Sequence, residues 1–363
     1  MENDVLLTVS GKIPADIKEE IARGKRPLAD YLAMAREFKA DLIDHEEARR
    51  QTGWIGRLIE KIAGSNSMLA WACYQNRRKY RVVFTDGEQI GIPFALLLKF
   101  FNFGKRPQHF MIGHILSVGK KIRFFDWLKL QSHIDLFFVY ATWQKQFIED
   151  RWQVASERVV FTPFMVDADF FAPHQAGPAQ AELRASLAIN MPMICAVGLE
   201  FRDYPTLLKA VDGLDVHLVI AAASPWSKRE DSTAGQRIPA NVTVQRFSQF
   251  ELRDLYAMSE FLVMPLYNVS FQAGVTALLE AMAMAKAVIC SRTPGQTDVV
   301  VEGETGLYVP PGDAQALREV IQRLLQQPEL AEQLGRNGRL RIEHEMSLAC
   351  YVMRLNRYVT PSA

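Results

Sequence analysis

One carboxylate stands in the apolar stretch SFQAGVTALLEAMAMAKAVI, residues 270 to 289. Between Ala273 and Ala285 only Glu280 is charged, and a carboxylate without a partner is costly to bury. Gly274 precedes strong helix formers, so a helix is expected to start near Gln272 or Ala273. Its first turn, through Val275, has no charged side chain, which leaves free N–H groups and the positive dipole end open to an anion. Gly274 would let a phosphate approach the backbone closely. Gln272, Thr276 and Glu280 then fall at i, i+4 and i+8, a stripe about 12 Å long. A pyrophosphate flanked by two sugars has that size, with Glu280 accepting from ribose hydroxyls and Gln272 holding the other sugar. Pairing of Glu280 with a buried arginine, or capping of a loop, would account for the same residues.

Other polar groups stand where strands should end. HFMIGHI places His114 at the carboxyl edge of a strand, and FTDGEQIGIP places Asp86 and Glu88 at another. The two acids could bind a polar acceptor or cap a helix beginning near Ile92. Asp167-Ala168-Asp169 has the letters of a metal-holding Asp-x-Asp, a three-residue signal too weak to carry a metal site, and none is expected.

The elements that must position these groups follow from alternation. Short apolar runs such as VLLTVS, RVVFT, IDLFFVYA, MICAVG, FLVMPL and AVIC read as buried strands. Segments such as PLADYLAMAREFKA, IPFALLLKFFNF and QFELRDLYAM between them read as helices. That pattern predicts parallel sheets covered on both faces. With 363 residues the chain suits two such domains, joined near FTPFMVDADFFAPHQAGPAQ, with ligands expected outside the carboxyl ends of the strands.

Composition narrows the classes. Hydrophobic residues make up 49% and charged residues 23%, with a formal net charge of +1, so no bulk nucleic-acid binding is implied. Four scattered cysteines suggest neither zinc nor a disulfide framework, and with an N-terminus unlike a signal peptide they point to the cytoplasm. No run reaches the roughly 18 apolar residues of a membrane span. Charge is uneven, however: from Arg57 to Lys129 thirteen Lys and Arg face Glu60, Asp86, Glu88 and Asp126, a net of +9. Within it, KFFNFGKRP and KKIRFFDWLKL interleave basic and aromatic residues. Such a mixture suits an anionic membrane surface or, through Lys120 and Lys121, a charged acceptor.

The stretch PLYNVSFQAGVTALLEAMAMAKAVICSRTPGQTDVVVEGETGLYVPPGD resembles the donor-binding segment of glycosyltransferase family 4. FTPFMVDADFF resembles that family's hinge, VGLEFRDYPTLLKAV its diphosphate-bracketing segment, and NVTVQRFSQFELRDLYAMSEFLVMPL the stretch beside the nucleobase. The resemblance implies a GT-B fold, with two Rossmann-like doubly wound α/β domains facing a central cleft. Residues 1–166 would form the acceptor domain and 167–345 the nucleotide-sugar domain, with a tail helix in 346–363 returning to the first.

It also implies roles. Glu280 matches the ribose-binding glutamate, and the donor phosphates would lie near Gly198, Ala273, Gly274, Val275 and Thr276 with Arg202, which stands at the family's lysine position. Gln272 replaces the glutamate that contacts the donor sugar, Ala285 and Ala287 replace Gly and Pro, and the arginine preceding Arg202 is absent. His114 corresponds to a histidine near the transferred sugar. The implied activity is metal-independent, retaining transfer from a nucleotide-diphosphate sugar, UDP-linked first, to a lipid, glycan or small molecule. Nothing beyond that co-substrate is required, and a place at the inner membrane face is compatible with it. An epimerase of the same fold, or a non-catalytic nucleotide-sugar binder, are the other readings.

Overall fold

A computed structural model describes residues 3–175, 179–187, 189–222 and 237–360. The chain forms two compact units. One comprises Met1–Glu19, Leu28–Thr162 and Tyr351–Ala363, the other Glu20–Pro27 and Pro163–Cys350.

The first unit is built on β1 (Val5–Thr8), β2 (Ala40–Ile43), β3 (Val82–Thr85), β4 (Gln108–Gly113), β5 (Leu136–Val139) and β6 (Val159–Phe161). They lie in the order β2-β1-β3-β4-β5-β6, every pair parallel. The central strands are buried almost throughout, as expected when helices cover both faces of a sheet. Phe84 stacks on Phe138 at 5.4 Å between ring centres, and Phe110 meets both edge-on. From Tyr351 the helix Leu348–Val359 is anchored in this unit: Arg354 Nε donates to Thr162 Oγ1 at 3.2 Å and Arg81 Nη2 to the Val359 carbonyl at 2.7 Å.

Two readings of the sequence need correction here. β2 starts at Ala40, the last residue of the run PLADYLAMAREFKA, expected as one helix, and no strand is expected there from the sequence. The helix stops at Phe38 because Lys39 takes a left-handed conformation (φ 50°), and ADLI then pairs with β1 from Val5↔Ala40 to Thr8↔Ile43. No Gly or Pro marks that break, so only pairing with β1 reveals it. The helix expected to begin near Ile92 begins at Glu88 instead.

The second unit carries β7 (Met193–Val197), β8 (His217–Ala221), β9 (Val242–Gln245), β10 (Phe261–Met264), β11 (Ala287–Ser291) and β12 (Leu307–Val309). Their order is β12-β11-β10-β7-β8-β9, again all parallel. One face packs on the helix Val275–Ala283, whose apolar residues are buried; this is why that segment is so poor in charge. The other face is covered by the helices Tyr204–Val211 and Ala314–Gln326.

The Val275–Ala283 helix ends in a reversal closed by Lys286 N–H to the Ala281 carbonyl at 2.9 Å. Ala285 sits there at φ 56°, a conformation glycine adopts without steric cost. Ala285→Gly is therefore expected to stabilise the protein by about 0.5–1 kcal/mol, after allowing for the freer unfolded chain, and to raise Tm by about 1–4 °C. An unchanged or lower Tm in calorimetry would show that the left-handed alanine carries no strain.

Each sheet has one switch point where successive strands begin to add on the opposite side. In the first it lies between β1 and β3, in the second between β7 and β10. The carboxyl ends of those two strand pairs are the usual ligand position of doubly wound sheets.

Candidate functional site

At the switch point of the second unit, the loop after β7 and the loop after β10 are knitted together. Asp203 N–H donates to the Pro265 carbonyl and Tyr267 N–H to the Phe201 carbonyl, both at 3.1 Å. Phe201 and Phe271 meet edge to face at 4.9 Å. Phe201 holds φ 60°, unusual for a bulky side chain, immediately before Arg202.

Arg202 is 6% exposed. Its Nε donates to the Val197 carbonyl at 3.0 Å and its Nη1 to the Glu200 carbonyl at 2.7 Å. The guanidinium lies flush against two glycines with positive φ. A Cβ on Gly198 would come within 2.3 Å of Nη2, and a Cβ on Gly274 within 2.8 Å of the guanidinium carbon. Gly274 is the residue from which the Val275–Ala283 helix starts, and no side chain caps that first turn. A buried cation and a set of helix N–H groups thus converge on one point. Burial pulls the Arg202 pKa down, a cost that an anion placed beside it would offset.

Glu280 lies further along the same helix, 7% exposed. Its Oε2 accepts from the Tyr256 hydroxyl at 2.7 Å. Burial lifts its carboxyl from 4.5 to about 7, on the order of 3 kcal/mol against the ionised form. Within the protein its partner is a buried tyrosine, where the alternative to a ribose named an arginine or a loop; burial pushes the tyrosine's own ionisation far up, so it remains a donor.

The sequence-derived stripe is only partly right. The helix begins at Val275, and Gly274 is left-handed (φ 74°), so Gln272 and Ala273 belong to the preceding loop and Gln272 is off the helical stripe. Thr276 and Glu280 do share the helix, Thr276 exposed and Glu280 buried one turn further on. The loop is held from the other side: a Cβ on Gly295 would lie 2.3 Å from the Phe271 backbone, and buried Gln296 donates from Nε2 to the Ala273 carbonyl. Gln296, Tyr256 and Gly295 carried no local signal and are placed only by packing.

The first unit gathers a second cluster at its own switch point. Asp86 accepts from Thr8 Oγ1 and from Ser10 N–H, each at 2.7 Å, bridging the ends of β1 and β3. Burial raises its carboxyl to about 6 and also raises that of Asp30, which is electrostatically coupled to Asp86 and His114. His114 follows β4; its Nε2 lies 2.9 Å from the Asp86 carbonyl and its ring 5.4 Å from Tyr140. A carbonyl oxygen only accepts, so Nε2 carries hydrogen, and Nδ1 is the ring atom open to another partner.

Glu88 and Lys121, expected as acceptor contacts, are engaged with each other. Glu88 is 2% exposed and accepts from His114 N–H at 2.8 Å, Ile115 N–H at 3.2 Å and Lys121 Nζ at 2.6 Å. Burial pushes its carboxyl up, but His114, Lys121 and the main-chain donors outweigh this and hold it below the ordinary value. Glu88 caps no helix by its side chain; it braces the loop that carries His114. Lys120 is exposed. Asp167 turns its carboxylate onto the N–H groups of Asp169 and Phe170, both at 3.1 Å, the local turn chemistry of aspartate. Among the described residues no three His, Cys, Asp or Glu side chains group to hold a metal ion.

Two parallel α/β units of this topology match solved GT-B glycosyltransferase structures along nearly the whole chain. Sucrose-phosphate synthase from Thermosynechococcus elongatus superposes with a TM-score of 0.71 at 20% identity, covering 98% of this chain and 97% of that one. HepE from Anabaena, in complex with UDP-glucose, superposes with a TM-score of 0.72 at 11% identity, covering 99% of each. Residues 199–341 match the family model of glycosyl transferases group 1. The fold is GT-B, and the segment similar to glycosyl transferases group 1 contains Arg202, Gly274 and Glu280. D-rhamnosyltransferase WbpZ of Pseudomonas aeruginosa is 32% identical over 187 residues, 51% of this chain and 49% of that protein. The aligned segments span from 18% to 52% of the curated relatives' lengths.

Proposed function

We propose that the protein transfers a sugar from a nucleotide-diphosphate donor to a hydroxyl acceptor. The observation that carries this reading is the Arg202 guanidinium packed on Gly274 at the uncapped start of the helix bearing Glu280. A diphosphate fits that convergence of cation and N–H groups. Val275 and Glu280 are five residues apart, about 7–8 Å along the axis, so a ribose attached to such a diphosphate reaches the carboxylate. Arg202 and the helix N–H groups neutralise the phosphates, so the reading invokes no metal; retention at the sugar is the stereochemistry that goes with the family 4-like resemblance. UDP-sugars are the first donors to try. HepE was crystallised with UDP-glucose, while another relative is named as a GDP-mannose-dependent mannosyltransferase. His114 and exposed Lys120 would serve the acceptor, and the basic, aromatic-rich first unit would meet an anionic membrane face on the cytoplasmic side.

Gln272 favours a second reading, a nucleotide-sugar binder with little turnover. Its neutral amide supplies no negative charge beside a developing oxocarbenium ion. Product analysis separates the two: a new glycoside supports transfer, and unchanged donor under saturating acceptor supports the binder.

The binding test uses a thermal-shift panel of UDP-, GDP- and ADP-sugars on the wild type, Glu280→Ala and Glu280→Gln between pH 5.5 and 8.5. Ribose hydroxyls donate to the ionised carboxylate. Wild-type affinity should therefore weaken up to about tenfold per pH unit below about 7, the value to which burial lifts the group, and the glutamine variant should lose that slope. In the free protein the sign is opposite. A carboxyl raised from 4.5 to about 7 contributes stability that is complete below pH 4.5 and is lost as pH rises through 7. A donor that stabilises Glu280→Ala as strongly as wild type would remove Glu280 from the site.

A further inference from the structure

We propose that the segment Trp54–Ala63 is a membrane-docking wedge that inserts its outer face into an anionic lipid surface. The helix spanning His45–Ala63 is broken at Gly53, whose φ of 60° and ψ of −136° are non-helical. Arg49 and Glu60 would be roughly 16 Å apart on a straight helix. Instead they form a two-pronged ion pair at 2.7 and 2.5 Å, so the chain folds back at Gly53.

The returning segment has two unlike faces. Its inner face is tight: Gly56 is buried where a Cβ would strike Thr52, and half-buried Ile59 packs on the core beside Met68 and Leu69. Its outer face presents Trp54 at 69% exposure, Leu58 at 50% and Ile62 at 77%, spaced i, i+4, i+8 along one stripe, with Ile55 beside them. A stripe of this kind left open to water marks an interaction surface, since nothing in the fold requires it.

Charge selects the partner. The segment's one acid, Glu60, is taken by Arg49 and by Ser65 Oγ at 2.7 Å. Arg57 and Lys61 are exposed beside the apolar stripe. An apolar ridge flanked only by free cations complements a bilayer with anionic headgroups, apolar groups entering the acyl boundary and cations resting at phosphate depth. The same unit repeats this chemistry elsewhere. Phe103 is 83% exposed near Lys105, and Trp127 is 76% exposed with the Arg123 guanidinium 5.9 Å from its ring. Lys99 Nζ donates to the Lys129 carbonyl at 3.4 Å, tying together the helix ends that bear these aromatics. This inference rests on the membrane-face reading above but assigns insertion to a segment outside the two basic-aromatic stretches.

Flotation of the full chain with vesicles of phosphatidylcholine alone, and of phosphatidylcholine with phosphatidylglycerol, tests it. The proteins are the wild type, Trp54→Ser/Leu58→Ser/Ile62→Ser and Phe103→Ser/Trp127→Ser. All replaced side chains are exposed, so circular dichroism and Tm should match wild type. Binding of wild type to anionic vesicles that falls about tenfold or more in the triple variant, and less in the double variant, is the expected result. A triple variant that floats like wild type would overturn the wedge while leaving the membrane reading intact. Wild type that stays with the soluble fraction would overturn both. A wild-type dimer in light scattering that the triple variant dissolves would assign the stripe to a second copy of the chain and overturn the proposal.

Discussion

Arg202→Ala should lower donor affinity and kcat/KM by about two to four powers of ten, the largest effect of any single change in the second unit. The estimate follows from removing one member of a buried charge-assisted contact, roughly 3–5 kcal/mol, converted at about 1.4 kcal/mol per tenfold. The free protein will also lose stability, because the Arg202 donors hold the Val197 and Glu200 carbonyls at 3.0 and 2.7 Å. The diagnostic quantity is thus the ligand-induced shift and the titrated Kd for a nucleoside diphosphate, each compared with that variant's own free state. Arg202→Lys keeps the charge but not the planar fork, and should fall between wild type and alanine. Donor affinity within threefold of wild type in a folded Arg202→Ala protein would rule out a phosphate role.

His114→Ala should separate binding from transfer. The imidazole Nε2–H is committed to the Asp86 carbonyl at 2.9 Å, so in the proposed reading Nδ1, when unprotonated, accepts from an acceptor hydroxyl. Losing a positioned group that acts in the transition state costs about 3–4 kcal/mol, or roughly 10²–10³ in kcat. The donor Kd should not move, because the phosphate and ribose contacts proposed above belong to the second unit. A proportional loss of donor affinity would mean that the substitution disturbs structure beyond the histidine. Transfer near the wild-type rate would show that the histidine only closes its strand. Glu88 holds the His114 loop through two main-chain N–H groups, so damage at Glu88 would mimic His114 loss and makes that carboxylate a positioning residue.

The residues readable from sequence share one property: their signal is local. Gly274 and Glu280 stand out because a helix buried against a sheet must be apolar, so a glycine before it and a lone acid within it are exceptions. His114 and Asp86 are placed at strand ends because strand runs end visibly, and in a parallel sheet ligands are expected at those ends. The pairing of Glu88 with Lys121 had no such signal, because nothing local indicates that the two meet across 33 residues at 2.6 Å. The apolar stripe of Trp54, Leu58 and Ile62 was overlooked because a helical period tells which residues share a face, but not whether that face is covered.

By itself the sequence determined two parallel α/β units, since buried strands and amphipathic helices follow from the spacing of apolar residues. It also determined the helix that carries Glu280 and the glycine before it. Only the tertiary structure decided what those residues touch. Arg202 lies on Gly274, and Tyr256 holds Glu280, because the switch in strand order between β7 and β10 brings distant loops to one edge. Contacts of that kind depend on side-chain volume and on hydrogen-bond geometry between segments, and neither leaves a period in the chain. For the same reason the burial of Glu280 is met by a tyrosine, and the cation beside its helix comes from a loop 72 residues before Gly274.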